Sequence, residues 1–484
     1  MTSLTRVRGV AAGRVRSAVT DTALDIALEK MRAGKVADVA VKTFAHYLEL
    51  LQAGETGTLA ESEIEPVDEL PDADELPDDE AGARDALAQT VVIKLNGGLG
   101  TSMGMTGPKS LLEVKDGLTF LDITVHQIRG LRIATGARLP LVLMNSFATR
   151  DASRAALEPY DDLPVDGVPA DFLQSKVPKL AADDLAPAEW PDDRALEWAP
   201  PGHGDLYPSL LSSGLLDALL DGGYRYAFVA NVDNLGAVLE PRILAWFARE
   251  QIPFLMEVAD RTAADRKGGH LAQRPGGGLV LREIAQTPEE DVDAFQDTSR
   301  HRFFNTNTLW IDLRALADVL AECDGVLGLP MIVNRKTIDP GDADSPPVIQ
   351  LETAMGAAID VFDGARAVRV GRERFAPVKT TDDLLALRSD AYELADGGRI
   401  VLAAARAEAG EGAPLVQLDS QYFKLVHDFE DRFAAGAPSL VQAQGLTVRG
   451  DIAFGAGVVV RGAVTIEHDG DGQRRIADGT VLEG

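Results

Sequence analysis

Apolar residues come in short unbroken runs through the middle of the chain. Val91-Val92-Ile93, Leu139-Pro140-Leu141-Val142-Leu143-Met144, Tyr226-Ala227-Phe228-Val229-Ala230, Phe254-Leu255-Met256 and Leu309-Trp310-Ile311 each read as a strand buried on both faces. Helical stretches such as Leu210 to Leu220 lie between several of them. Strands alternating with helices predict an α/β domain with a largely parallel sheet.

Both ends change period. Residues 21–52 carry apolar positions at helical spacing, with Thr20 or Asp21 as a cap and Gly34 as a break between two helices. Towards the C-terminus, Leu446, Ile452, Val458 and Val464 are spaced by six, as are Val448, Phe454, Val460 and Ile466. Two interleaved series of this kind, with Gly450, Gly455, Gly457 and Gly462 at the bends, predict a short parallel β-helix rather than an antiparallel meander. Ahead of the first strand, Glu61 to Glu80 holds eleven acids and no base, with Pro66, Pro71 and Pro77 among them. Such a block repels itself, so it is expected to be a solvated tether outside the main fold. The expected organisation is N-terminal helices and acidic linker at 1–85, a main α/β domain at 86–400, and a C-terminal segment with the β-helix at 401–484.

Charge narrows the partners. Asp and Glu total 76 against 47 Lys and Arg, a net charge of −29, which argues against nucleic acid or an anionic membrane surface. The single cysteine, Cys323, excludes an intrachain disulfide or a cysteine-based zinc site and fits a cytoplasmic protein. No stretch of about 20 apolar residues is present, so no membrane span is expected. Residues 1–20 hold Arg6, Arg8, Arg14 and Arg16 and no acid; they read as a frayed basic end, with a transit peptide as the alternative.

The candidate chemistry sits at the ends of the apolar runs. Leu95-Asn96-Gly97-Gly98-Leu99-Gly100 follows the first strand and leads to Gly107-Pro108-Lys109-Ser110. Glycines let backbone N–H groups approach a phosphate or a base, and Lys109 supplies a point charge. Neither the P-loop nor the dinucleotide fingerprint fits this spacing. Val229-Ala230-Asn231-Val232-Asp233-Asn234 places polar groups at the carboxyl end of a strand, where α/β sheets bind ligands, and Asp233 can hold Mg²⁺. Gly202-His203-Gly204 leaves an imidazole open to a ligand, although a lone histidine is as often structural. Lys267-Gly268-Gly269 adds a cation beside glycine, and Asn305 and Asn307 offer amides to sugar hydroxyls. Arg372, Arg374 and Lys379 are expected to form an anion site. Together these features point to phosphoryl or nucleotidyl transfer, which needs positioning and charge neutralisation more than a covalent nucleophile.

The motifs also resemble those of a known family. LNGGLGTSMGMTGPKS from Leu95, LVLMNSF from Leu141, QSKVPKL from Gln174, PPGHGDLYPS from Pro200, VANVDNLGA from Val229, EIAQTPEE from Glu283, FFNTNTLW from Phe303 and RFAPVKTTDD from Arg374 stand in the order found in the eukaryotic-type UTP–glucose-1-phosphate uridylyltransferases. The resemblance implies a Rossmann-like glycosyltransferase-A-type α/β domain with an N-terminal helical segment and a C-terminal left-handed parallel β-helix. It implies UTP and glucose 1-phosphate as substrates and Mg²⁺ as cofactor. It assigns Leu95, Asn96, Gly97 and Gly98 to the nucleotide loop, and Gln174 and Gly202 to uridine. His203 falls to the sugar phosphate, and Asn231, Val232 and Asp233 to the nucleotide sugar, with Asp233 as metal ligand. Gly269, Glu283, Asn305 and Asn307 fall around the hexose. Lys109 and Lys379 become the two catalytic lysines.

Three departures stand out. Thr308 replaces a usual Asn, so a contact near the sugar is expected to differ. Lys176-Val-Pro-Lys179 keeps two charges but loses a stacking surface. The family's longer β-helix is not matched to its end, which leaves a homo-oligomer through this segment open beside a monomer. Competing functions are a UDP-N-acetylhexosamine or broad-specificity UDP-sugar pyrophosphorylase, and a non-catalytic UDP-sugar sensor.

Overall fold

Val91 and Ile93 enter one apolar core while Val92 enters a second, so the strand Thr90–Asn96 is covered on both faces. Coverage of both faces explains the unbroken apolar runs. The structure, a computed structural model, describes residues 18–262 and 265–484.

A ten-stranded sheet forms the centre. Its strands are β1 Glu65–Pro66, β2 Thr90–Asn96, β3 Leu141–Asn145, β4 Asp171–Leu173, β5 Tyr226–Asn231, β6 Phe254–Asp260, β7 His270–Gln273, β8 Leu279–Arg282, β9 Phe303–Asp312 and β10 Arg366–Arg369. The order is β1-β7-β9-β5-β2-β3-β4; β6 pairs with β9 and β10, and β8 with β7. Strands β5, β2, β3 and β4 are parallel, as the helical crossovers predict. Strand β9 departs from that pattern and runs antiparallel to both β5 and β6. Helices Leu206–Ser212, Leu215–Asp221 and Leu313–Glu322 cover one face, and Phe120–Thr135 and Pro241–Arg249 the other.

The acidic run is not a tether. Ile64, Val67 and Leu76 are buried, and β1 pairs with β7 through Glu65 opposite Gln273 and Pro66 opposite Ala272. Its carboxylates find cations far along the chain: Glu61 meets Arg282 and Arg300, Asp72 meets Arg369, and Asp78 meets Arg242. Self-repulsion is offset by these partners, and the segment becomes a strap along the sheet.

The N-terminal pair is helical as expected, over Ala18–Ala33 and Asp38–Gln52, and it packs on Val177, Leu180, Met331, Ile349 and Leu351. The first helix begins ahead of the expected cap, so Thr20 and Asp21 lie within it. The basic stretch before Ala18 lies outside the described residues. Among the described residues, no helix is long and apolar enough to cross a membrane.

The six-residue series at the C-terminus folds into parallel ladders. Strands Leu415–Leu418, Ser439–Arg449, Val459–Glu467 and Val481–Glu483 form one sheet, and Ile452–Phe454 pairs with Arg474–Ile476. Leu446 lies beside Val464 and Val448 beside Ile466, three six-residue steps along the chain. All pairings are parallel, which excludes the antiparallel meander. The buried members of both series share one core with Met103, Phe120, Leu235, Val378 and Leu384, so this segment packs on the main domain.

Candidate active site

At the carboxyl ends of β2 and β5, Leu95 and Asn231 are partners, and Val232 N–H donates to the Leu95 carbonyl at 3.1 Å. Asn96 is the last residue of β2, paired with Asn145 of β3, and the chain leaves the sheet after it. Asn96 does not reach the cleft: it is buried, and its Nδ2 donates to Asn145 Oδ1 and Ser153 Oγ, both at 2.7 Å. It fastens the loop from below. Gly97 lies against Gln174, whose Oε1 is 2.8 Å from where a Cβ would stand, and its carbonyl accepts from Ser146 Oγ at 3.1 Å. Gly98 has open space on its Cα, and its carbonyl accepts from Lys109 N–H at 3.0 Å, folding the loop back on itself. Only glycine leaves the backbone bare at such a position.

That closure brings two predicted residues together. Lys109 Nζ lies 2.6 Å from Asp233 Oδ2, and both side chains keep part of their surface open, 14% and 23%. The segment bearing Lys379 is tied to the same strand end. Asn234 is buried; its Nδ2 donates to the Arg374 carbonyl at 3.1 Å and its Oδ1 accepts from Ala376 N–H at 3.0 Å. Val378 N–H donates to the Asp233 carbonyl at 3.3 Å. Lys379 follows, exposed, with its ammonium 5.7 Å from the Phe375 ring and no ion pair among the described residues.

The expected anion cluster is largely spent inside the protein. Arg374 makes a two-pronged bond to the fully buried Glu257, at 2.8 and 2.7 Å. Arg372 pairs with Asp265 at 2.8 Å and stacks 4.9 Å from the centre of Phe304. Lys379 alone of the three stays unpaired by a carboxylate, and exposed Lys267 contributes no contact to the pair at Asp233. Below the floor, Lys94 is buried, donates to the Ala237 carbonyl at 2.8 Å, and is pushed down to about 7, by burial first and by Arg374 second.

The predicted sugar-side residues form a second group. Between Glu257 and Val258 the pairing with β9 slips, so Thr306 and Asn307 bulge out, and Asn307 takes a left-handed φ of 56°. Asn305 Nδ2 donates to Asn307 Oδ1 at 3.0 Å, and Asn307 N–H returns a bond to Asn305 Oδ1 at 2.9 Å. Asn305 N–H donates to the Gly269 carbonyl at 3.0 Å. The Glu283 carboxylate fills the space beside Gly269, 2.4 Å from where a Cβ would stand. Burial pushes Glu283 up to about 7, against the pull of Lys379.

Gln174 spans the first group and His203. Its Nε2 donates to the Gly202 carbonyl at 3.0 Å, while Gly202, at φ 78°, presses on Thr353. His203 Nδ1 accepts from Met355 N–H at 2.9 Å, so the neutral ring carries its proton on Nε2. Burial pushes this imidazole down to about 4, which keeps it neutral. The next residue after Met355, Gly356, lies under the Asn305 amide, so this turn joins His203 to the Asn305–Asn307 group.

Residues 41–461 match the UTP–glucose-1-phosphate uridylyltransferase family. The chain belongs to that family. It is 43% identical over 406 residues to UTP–glucose-1-phosphate uridylyltransferase of Solanum tuberosum, spanning 84% of this chain and 82% of that one. A probable UTP–glucose-1-phosphate uridylyltransferase of Schizosaccharomyces pombe is 40% identical, spanning 84% and 78%. Among solved structures, a variant of UDP-glucose pyrophosphorylase from Leishmania major in complex with UDP-glucose superposes with a TM-score of 0.88 at 45% identity, covering 95% of this chain and 98% of that one. A UDP-glucose phosphorylase from Trypanosoma brucei gives 0.88 at 47%, covering 96% and 98%.

Within this uridylyltransferase, two departures are structural. Thr308 is buried in β9 with its hydroxyl unpartnered among the described residues, so it does not touch the cleft. Lys179 is buried and donates to the Ile338 carbonyl at 2.7 Å, while Lys176 stands 4.5 Å from the Trp198 ring centre. One half-buried cation with an aromatic partner therefore replaces the expected two charges. Sequence reading also missed Asn234 as the clamp for Lys379 and Asp205 as a brace for Gln174. Asp205 accepts from Ser175 N–H and Ser209 Oγ, both at 2.6 Å. Both residues stand inside motifs already singled out, next to the predicted ones.

Proposed function

We propose that this chain transfers UMP from UTP to glucose 1-phosphate, forming UDP-glucose and pyrophosphate. The observation that carries this reading is the Lys109–Asp233 pair at the mouth of the glycine loop, with Lys379 tied to the same strand end by Asn234. A phosphate oxygen of glucose 1-phosphate attacks the α-phosphorus of UTP in line. One P–O bond forms as the bond to the β-phosphate oxygen breaks, and pyrophosphate leaves with the electron pair. The attacking phosphate is already anionic at neutral pH, so no general base is needed.

Leu95, Gly97 and Gly98 give the nucleotide a bare backbone, with Gln174 and Gly202 at uridine. His203 offers its Nε2–H to the sugar phosphate. Asn231 and Val232 line the strand end, and Gly269, Glu283, Asn305 and Asn307 hold the hexose. Lys109 and Lys379 spread the charge that develops on the transferred and leaving phosphates. Among the described residues, no cluster of three or more His, Cys, Asp or Glu gathers. A single, partly exposed carboxylate beside the Lys109 ammonium fits Mg²⁺, which takes one or two carboxylates and completes its shell with phosphate oxygens and water. Asp233 would hold it, and when bound it supplies charge neutralisation at the phosphates.

The same proposal reads 86–400 as the catalytic domain, the C-terminal ladders as a left-handed β-helix, and the location as cytoplasmic. Pyrophosphate release from UTP, measured with a panel of sugar 1-phosphates, tests the function. Glucose 1-phosphate should turn over fastest. Preference for N-acetylglucosamine 1-phosphate would transfer the assignment to a sister activity. UDP-glucose binding without any turnover would make the protein a sensor.

A further inference from the structure

The strap meets the strands that carry the sugar-side residues. Leu59 N–H donates to the Gln286 carbonyl at 2.8 Å, and Gln286 Oε1 in turn accepts from Glu283 N–H at 3.0 Å. Two residues on, Glu61 enters a nest of cations. Its carboxylate accepts from Arg282 Nη1 at 2.5 Å, pairs with Arg300 Nε at 2.7 Å and meets His301 Nε2 at 3.0 Å. Its backbone N–H donates to Asp291 at 2.6 Å, and Asp291 also reaches Arg282 at 3.4 Å. Arg282 and His301 are fully buried, so Glu61 balances charge that solvent cannot reach.

Two arms of this hub lead to the cleft. Arg282 is the last residue of β8 and adjoins Glu283. His301 stacks on His270, ring centres 3.9 Å apart, and His270 adjoins Gly269. Glu283 and Gly269 face one another across the same small space. We propose that Glu61 is a positioning residue for the hexose side of the site: through Arg282 and the His301–His270 stack it fixes the separation of Glu283 and Gly269. This rests on the reading that Glu283 and Gly269 face the hexose.

Steady-state kinetics of the full chain, varying each substrate separately, tests it. Glu61→Gln keeps the shape and removes the charge, and it should raise KM for glucose 1-phosphate about fivefold or more while KM for UTP stays within about twofold. Glu61→Asp should recover part of the loss. Arg300→Ala removes only the exposed arm and should fall between, which keeps the test readable if Glu61→Gln is poorly folded. Glu283→Ala is the reference. If it raises KM for glucose 1-phosphate and Glu61→Gln does not, the positioning role is overturned and the reading of the site stands. A rise in both KM values together in Glu61→Gln overturns it too, since general loosening has no preference for the hexose. If Glu283→Ala leaves the glucose 1-phosphate KM unmoved, the hexose reading fails and the proposal falls with it.

Discussion

Lys109 and Asp233 stand 124 positions apart in the chain and 2.6 Å apart in space. The loop after β2 and the turn after β5 are thereby locked together by one ion pair. Because the two groups act as a unit, their losses should not add. Lys109→Ala and Asp233→Asn should each lower kcat/KM by about 10²–10³-fold, the scale of one preorganised charge. The double variant should be about as slow as the worse single one. Pyrophosphate-release rates for the four proteins check this, and full additivity would separate their roles.

The basic segment before the C-terminal ladders contains one free charge and two occupied ones. Lys379→Ala should lower kcat by about 10²–10³-fold. Arg372→Ala, already paired with Asp265 on the protein surface, should change kcat by less than about threefold. Equal losses in the two variants would restore the anion cluster expected from sequence.

Asn234 makes its bonds in a buried site, so replacing it leaves groups unsatisfied. Asn234→Ala should cost about 1–3 kcal/mol of stability and lower kcat as well, because Lys379 loses its anchor. Denaturant midpoints and turnover measured on the same preparation report both effects. A stable variant with normal kcat would show that the segment is held by other contacts.

His203 gives a pH test with a definite sign. Its pKa falls from 6.5 to about 4 on folding. Between those values the unfolded chain binds the extra proton and the folded one does not, so this contribution is present above pH 6.5 and is lost as pH falls towards 4. The stability gap between wild type and His203→Asn should therefore shrink on acidification through that window. Imidazole nitrogen NMR should show a neutral ring protonated at Nε2 at pH 6. A charged ring there would contradict the Met355 bond.

The strands and most of the site loops were legible because burial on both faces leaves unbroken apolar runs at β2, β5 and β9. The C-terminal ladders were legible because neighbouring parallel strands repeat their buried residues at a fixed step. What could not be read were partnerships between polar groups far apart in the chain. Nothing local distinguishes Arg374, bound to buried Glu257, from Lys379, which is free. The strap was misread for the same reason: its proline and acid content describes a solvated chain until Arg282, Arg300 and Arg369 are placed beside it. Asn96 was within reach. Strand alternation puts it on the same face as Val92 and Lys94, away from a ligand approaching the glycines.

The strap also decides how the molecule comes apart. It crosses from the N-terminal helices to the sheet edge with buried side chains, a strand pairing and several ion pairs, so the helices have no seam along which to detach. Segments joined in this way share one opening free energy rather than unfolding as separate foldons. Hydrogen exchange should then protect the amides of β1 and β7 together, and calorimetry should record the two N-terminal helices and the strap melting with the sheet they clasp.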